Sequence, residues 1–139
     1  MTTPPTSTIL YADDDGDDRF LLNEFVISNG LKADMVYVSN GLEAISYMEQ
    51  APENPPSLVI LDLNMPKMDG RQTLHYLKSH PRFSAIPVII LSTSENKLER
   101  DFCTSNGALS YFVKPRQLAG YDTIVKACMP YVSAGQHVV

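Results

Sequence analysis

Cysteine is scarce in this chain of 139 residues: there are two, Cys103 and Cys128. They lie far apart, in helix-like stretches and outside any C-x-x-C spacing. They read as buried reduced thiols, as expected of a cytosolic protein. Basic charge is in deficit, with 11 Lys and Arg against 16 Asp and Glu and a formal net charge of −5. No basic patch or arm stands out, so direct contact with nucleic acid is not expected. Long apolar runs are missing too. None approaches the roughly 20 residues that a membrane span needs. The opening MTTPPTST has neither the positive n-region nor the apolar h-region of a secretory signal. There is no internal repeat. His75, His80 and His137 show no ligand spacing and read as solvated or capping residues. Met65 and Met68 read as loop packing, not as metal ligands.

Hydrophobic residues make up 44% of the chain, enough for one ordinary domain with a real core. Short apolar runs alternate with helical patterns. TILYA (residues 8–12), ADMVYVS (33–39), LVIL (58–61), PVIIL (87–91) and ALSYFV (108–113) read as strands. Between them lie helical stripes: Leu21, Leu22, Phe25 and Val26; then Leu42, Ile45 and Met48; Leu74 and Leu77; Leu98 and Phe102. A last helix aligns Leu118, Tyr121, Val125, Cys128 and Val132. Asn40 with Glu43 predicts a capping box, Asn29-Gly30 and Asn106-Gly107 predict helix ends, and APENPPS (51–57) a Pro-rich connection. Five alternations argue for βαβ units and a doubly wound parallel sheet covered on both faces. The domain is expected over residues 8–132, with 1–7 a disordered N-terminal segment and 133–139 a frayed tail.

The run ILYADDDGDDRF is unusual. Asp13, Asp14, Asp15, Asp17 and Asp18 crowd five carboxylates into six positions, where like charges repel. Other polar residues also follow strands: Asp62 after the third, Ser92 after the fourth, Lys114 after the fifth. Ligands of open parallel sheets bind outside the carboxyl ends of the strands. In the order 2-1-3-4-5 these residues share one pocket. Asp13, Asp14 and Asp62 suit a hard divalent cation such as Mg²⁺, which offsets their repulsion. A cation, Lys114 and the Ser92 hydroxyl suit phosphoryl oxygens, and an Asp carboxylate can be the nucleophile that forms an aspartyl-phosphate. Asp15, Asp17 and Asp18 read as helix N-terminal charges, favourable by about 0.3–1 kcal/mol each at best.

The ordered set of Asp13-Asp14, LDLNMPKMDG, a Ser after the fourth strand, and Y-x-x-K-P resembles the receiver domain of two-component response regulators. The spacings agree as well: 30 residues from Asp62 to Ser92 and 22 from Ser92 to Lys114. NGLEAI and NGALSYFVKP fit, and the likeness covers about residues 8–132. It implies a flavodoxin-like receiver fold and a phosphoacceptor that catalyses only its own phosphorylation and dephosphorylation. Asp62 would take the phosphoryl group from a sensor histidine kinase or phosphotransfer protein. Asp14 and Asp62 would bind Mg²⁺ directly, with the backbone carbonyl of Asn64, and Asp13 through water. Lys114 would pair with Asp62 and then with the phosphoryl group, through a cis Lys114–Pro115 peptide. Ser92 and Tyr111 would form the switch, while Asn64 and Ser94 sit where the family tunes hydrolysis. Gly16 departs from the family, which often has Pro there. With no output domain after residue 132, the signal is expected to leave by protein contact. HPRFSAIPVIILSTSE and DLNMPKMDGR resemble single-domain regulators that partner phytochromes, a subgroup in which some members form a homodimer through the fourth helix, fifth strand and fifth helix.

Two other readings compete. A haloacid-dehalogenase-type hydrolase would use Asp13 as nucleophile with Asp15 two positions on, but leaves Asp62 and MPKMDG unexplained. A flavodoxin-like cofactor carrier needs a Ser, Thr and Gly-rich phosphate loop after the first strand. Five carboxylates there would repel a cofactor phosphate.

Overall fold

The computed structural model describes residues 7–50 and 53–132. Five strands and five helices alternate without exception: β1 Ser7–Ala12, α1 Gly16–Ser28, β2 Ala33–Val38, α2 Gly41–Gln50, β3 Leu58–Leu61, α3 Gly70–Ser79, β4 Val88–Ser92, α4 Lys97–Ser105, β5 Ser110–Val113 and α5 Ala119–Val132. All strand pairs are parallel, in the order β2-β1-β3-β4-β5. This is the expected doubly wound sheet. Strands β1, β3 and β4 are its apolar centre, and β2 and β5 are its half-buried edges.

Side-chain alternation divides the core in two. Leu10, Val59, Leu61, Val88 and Ile90 face Ala44, Met48, Leu74, Leu77 and Cys103 of α2, α3 and α4. Ile9, Tyr11, Ile60, Ile89 and Leu91 face Leu22 and Val26 of α1 and Tyr121, Ile124, Val125 and Cys128 of α5. Each fully buried Leu or Ile contributes about 1.5–3 kcal/mol, enough to seat the helices on both faces. Both cysteines are free and buried, as expected.

Local signals set the helix ends. The Asp15 side chain caps α1 by accepting the N–H groups of Asp17 and Asp18. Asn40 Oδ1 accepts the Glu43 N–H while Glu43 accepts that of Ser39. Glu43 thus bonds the residue before the cap, so the expected box is incomplete, whereas Asp69 and Gln72 form a full capping box on α3. Gly30 and Gly107 turn the chain at φ +65° and +99°, conformations that favour glycine.

Several expectations need correction. Ser7 belongs to β1, where it pairs with Ala33 of β2, and its hydroxyl donates to the Val132 carbonyl at 3.0 Å, which ties the strand to the end of α5. Residues 1–6 and the tail 133–139 lie outside the described residues. On α2 the buried residues are Gly41, Ala44 and Met48, while Leu42 is exposed. On α4 only Cys103 is buried; Leu98 is 78% exposed and Phe102 42%. Cys103 is the α4 side chain turned to the core, so the apolar i, i+4 pair Leu98 and Phe102 faces outward. Leu118 is exposed and precedes α5.

Candidate functional site

Parallel strands bring their carboxyl ends to one edge, and the residues that follow β1, β3 and β5 converge there. Asp13 continues β1: its N–H donates to the Val38 carbonyl at 3.0 Å. Asp62 continues β3: its N–H donates to the Ala12 carbonyl at 3.0 Å. Lys114 continues β5, with its N–H on the Ser92 carbonyl at 2.7 Å. The sheet's own hydrogen bonds therefore aim the three side chains.

Lys114 Nζ lies 2.7 Å from Asp18, 2.9 Å from Asp13 and 3.0 Å from Asp62, and its side chain is 8% exposed. The ammonium has three donors and meets three carboxylates. Asp13 is fully buried: Oδ1 accepts the Asp15 N–H at 2.9 Å, and Oδ2 accepts the Tyr11 hydroxyl at 2.6 Å besides Lys114. Asp62 is nearly buried, and its Oδ1 accepts the Asn64 N–H at 3.3 Å. Asp14 is exposed at the mouth. Carboxylate oxygens of Asp13, Asp14 and Asp62 all lie within 4.8 Å of one another.

One cation thus serves three carboxylates, with a fourth, Asp14, beside them. Burial pushes the Asp62 carboxyl up, Lys114 pulls it back and Asp13 raises it again, leaving it at about 6. Burial alone would lower the Lys114 ammonium, but its hydrogen bonds to Asp18 and Asp13 and the charge of Asp62 carry it upward. The surplus negative charge and the all-oxygen donor set fit a hard divalent cation held by Asp13, Asp14 and Asp62.

Around this cluster the loops are closely fitted. Gly70, at the start of α3, has no room for a Cβ, which would collide with the Asp62 carbonyl oxygen. Lys67 makes the turn before it at φ +66°, a costly conformation for a residue with a side chain. Buried Ser92 ends β4, and its Oγ accepts the Ser94 N–H at 3.1 Å. Tyr111 of β5 donates its hydroxyl to the Ser94 carbonyl at 2.8 Å, and the Arg100 guanidinium stacks 5.2 Å from its ring. Ser92 and Tyr111 therefore meet on one loop residue. No peptide bond among the described residues is cis, so the expected cis Lys114–Pro115 bond is trans. The isomers of an X–Pro bond differ by only about 0.5–1 kcal/mol, and the motif alone does not choose between them. Lys114 reaches Asp62 with the trans bond.

Two site residues escaped the sequence reading. Asp18 was assigned to helix N-terminal charge, yet it binds Lys114. The signal lies in the topology: α1 begins at the carboxyl end of β1, so its first turn borders the pocket. Tyr11 falls within the strand TILYA, where the sequence reading gives it no role. Its position two residues before Asp13 puts both on one side of the strand, and a buried phenol needs a partner.

The comparisons agree with this geometry. The family model described as response regulator receiver domain matches residues 9–126. Response regulator Rcp1 of Synechocystis sp. is 35% identical over 100 residues, which cover 69% of this chain and 67% of that protein. Among solved structures, the phosphorylated cyanobacterial phytochrome response regulator RcpA superposes with a TM-score of 0.84 at 31% identity, covering 94% of this chain and 96% of that one. The Mn²⁺-bound form of Rcp1 gives 0.80 at 28% identity, covering 96% of both chains. The sheet order is that of a flavodoxin-like fold, and the family match over residues 9–126 makes it a receiver domain: this chain belongs to the response regulator receiver family of two-component signalling.

Proposed function

We propose that the chain accepts a phosphoryl group on Asp62 and signals by protein contact. The observation that carries this reading is the position of Asp62: a buried carboxylate 3.0 Å from Lys114 and within 4.8 Å of two further aspartates. One Asp62 oxygen attacks phosphorus in a phosphohistidine of a sensor kinase or phosphotransfer protein. The P–N bond breaks, an acyl phosphate forms, and the imidazole leaves with its electron pair and takes up a proton. Asp13, Asp14, Asp62 and the Asn64 backbone carbonyl would hold Mg²⁺. Bound there, the ion neutralises charge that builds on the phosphoryl oxygens. Lys114 exchanges a carboxylate for a phosphoryl oxygen, and Ser92 Oγ gives up the Ser94 N–H to donate to another. Tyr111, tied to the same Ser94, follows, and a two-state equilibrium shifts at the surface of α4 and β5. The protein is then a phosphoacceptor that catalyses only its own phosphorylation and dephosphorylation.

The kinship with RcpA and Rcp1 supports a phytochrome-type kinase as the donor. Exposed Leu98, Phe102 and Leu118 support a homodimer through the face of α4, β5 and α5. No described helix is long and apolar enough to cross a membrane, and with a net charge of −5 and buried thiols we read the protein as cytoplasmic, without direct DNA contact. The test is intact mass after incubation with acetyl phosphate. Wild type gains one phosphoryl group only with Mg²⁺, and Asp62→Asn gains none. A gain in Asp62→Asn, or none in folded wild type, rejects the assignment.

A further inference from the structure

The pocket rests on a residue from inside the core. Strand β1 is apolar from Ile9 to Ala12 apart from one hydroxyl, that of Tyr11. Its ring is fully buried and meets Tyr37 edge-on at 6.2 Å, so the phenol cannot swing away without disturbing two strands. The hydroxyl donates to Asp13 Oδ2 at 2.6 Å, a short bond of the charge-assisted kind. Asp13 itself is shut off from water. Among the described residues three donors orient it: the Asp15 N–H, Lys114 and Tyr11. Lys114 is shared among three carboxylates at the end of a flexible stem, and in the proposed reaction it turns toward the phosphoryl group. Tyr11 and the Asp15 N–H are then what remains to hold Asp13.

We infer that Tyr11 is a positioning residue for the cation: its hydroxyl fixes the Asp13 carboxylate from below, in the orientation that the metal site uses. The inference rests on the reading of Asp13, Asp14 and Asp62 as that site. Partners that orient metal-site carboxylates or imidazoles in this way commonly control affinity by about 10–100-fold. Phe in place of Tyr keeps the ring and removes only the donor.

The experiment titrates Mg²⁺ alone into wild type and Tyr11→Phe by calorimetry, then follows phosphorylation by acetyl phosphate at limiting and saturating Mg²⁺. The expected result is about a tenfold weaker Mg²⁺ affinity in Tyr11→Phe. Its phosphorylation should be slow at limiting Mg²⁺ and recover at saturation, which a merely loosened fold would not do. Equal affinity in the two proteins, or a slow rate that Mg²⁺ does not restore, overturns the inference and leaves the metal site standing. Wild type that takes up no Mg²⁺ overturns both. The chain contains no Trp, so tyrosine absorption is unmasked. If Tyr11→Phe does not fold, the decision passes to a Tyr111→Phe, Tyr121→Phe background, which removes the switch tyrosine and the Tyr121 phenol that also feels the charges of Asp13 and Asp18. A tyrosine difference spectrum on adding Mg²⁺ supports the inference there, and an unchanged spectrum overturns it.

Discussion

Asp62 holds its proton up to about pH 6 because burial raises its carboxyl, Lys114 only partly restores it and Asp13 opposes it again. The unfolded chain releases the same proton near the ordinary 3.8. Between these values the native state binds more protons than the unfolded state, so this residue's contribution to stability falls as pH rises through the window. Asp62→Asn removes the titration. Without metal, the variant should gain on wild type progressively from pH about 4 to about 6, with a constant gap above that. Urea unfolding of both proteins over a pH series measures it, and a gap that narrows with rising pH would contradict the buried, crowded carboxylate. The proton also competes with the cation. Mg²⁺ affinity should weaken below pH about 6, approaching a tenfold loss per pH unit for one proton displaced.

Among the elements, the strands and helix ends were legible because their signals are local. LVIL is buried on both faces as β3, and Asn40 caps α2 by accepting the Glu43 N–H, although Glu43 reaches back to Ser39 and not to Asn40. The outward faces of α2 and α4 were not legible. Periodicity shows that residues share a stripe, and the sheet decides which stripe is covered. Leu98 and Leu74 make the contrast testable. Leu74 is fully buried against β3 and β4, and Leu74→Ala should cost about 2–5 kcal/mol. Leu98→Glu should leave monomer stability within about 0.5 kcal/mol. If the α4 face is the homodimer contact, sedimentation of Leu98→Glu should show the loss of self-association. The candidate site was legible where a residue type is rare at a strand end, as with Asp62 and Lys114. Asp18 and the trans Lys114–Pro115 bond were hidden, since the first depends on how α1 meets the pocket and the second on a small energy difference.

For the molecule as a whole, the cation site is a thermodynamic handle on folding. A ligand that binds only the native state at 100 times its dissociation constant stabilises by about 2.7 kcal/mol. Saturating Mg²⁺ should therefore raise the thermal midpoint by several degrees at pH 7, less at pH 5, and not measurably in Asp14→Asn. Calorimetric scans with and without Mg²⁺ read all three. A shift in Asp14→Asn equal to that of wild type would place the ion elsewhere.

The Lys114 ammonium closes long loops: it reaches 96 residues back to Asp18 and 52 back to Asp62. Contacts so distant in the chain pay their closure entropy only once the intervening elements have docked. The pocket is therefore assembled late, after β1 and β3 already lie side by side and β5 arrives at the edge. The cation's own carboxylates follow β1 and β3, so the ion's nest is complete once those two strands pair, before Lys114 arrives. In stopped-flow work Mg²⁺ should therefore act on the folding limb as well as the unfolding limb, because the strands that carry its ligands pair before β5 closes the sheet edge.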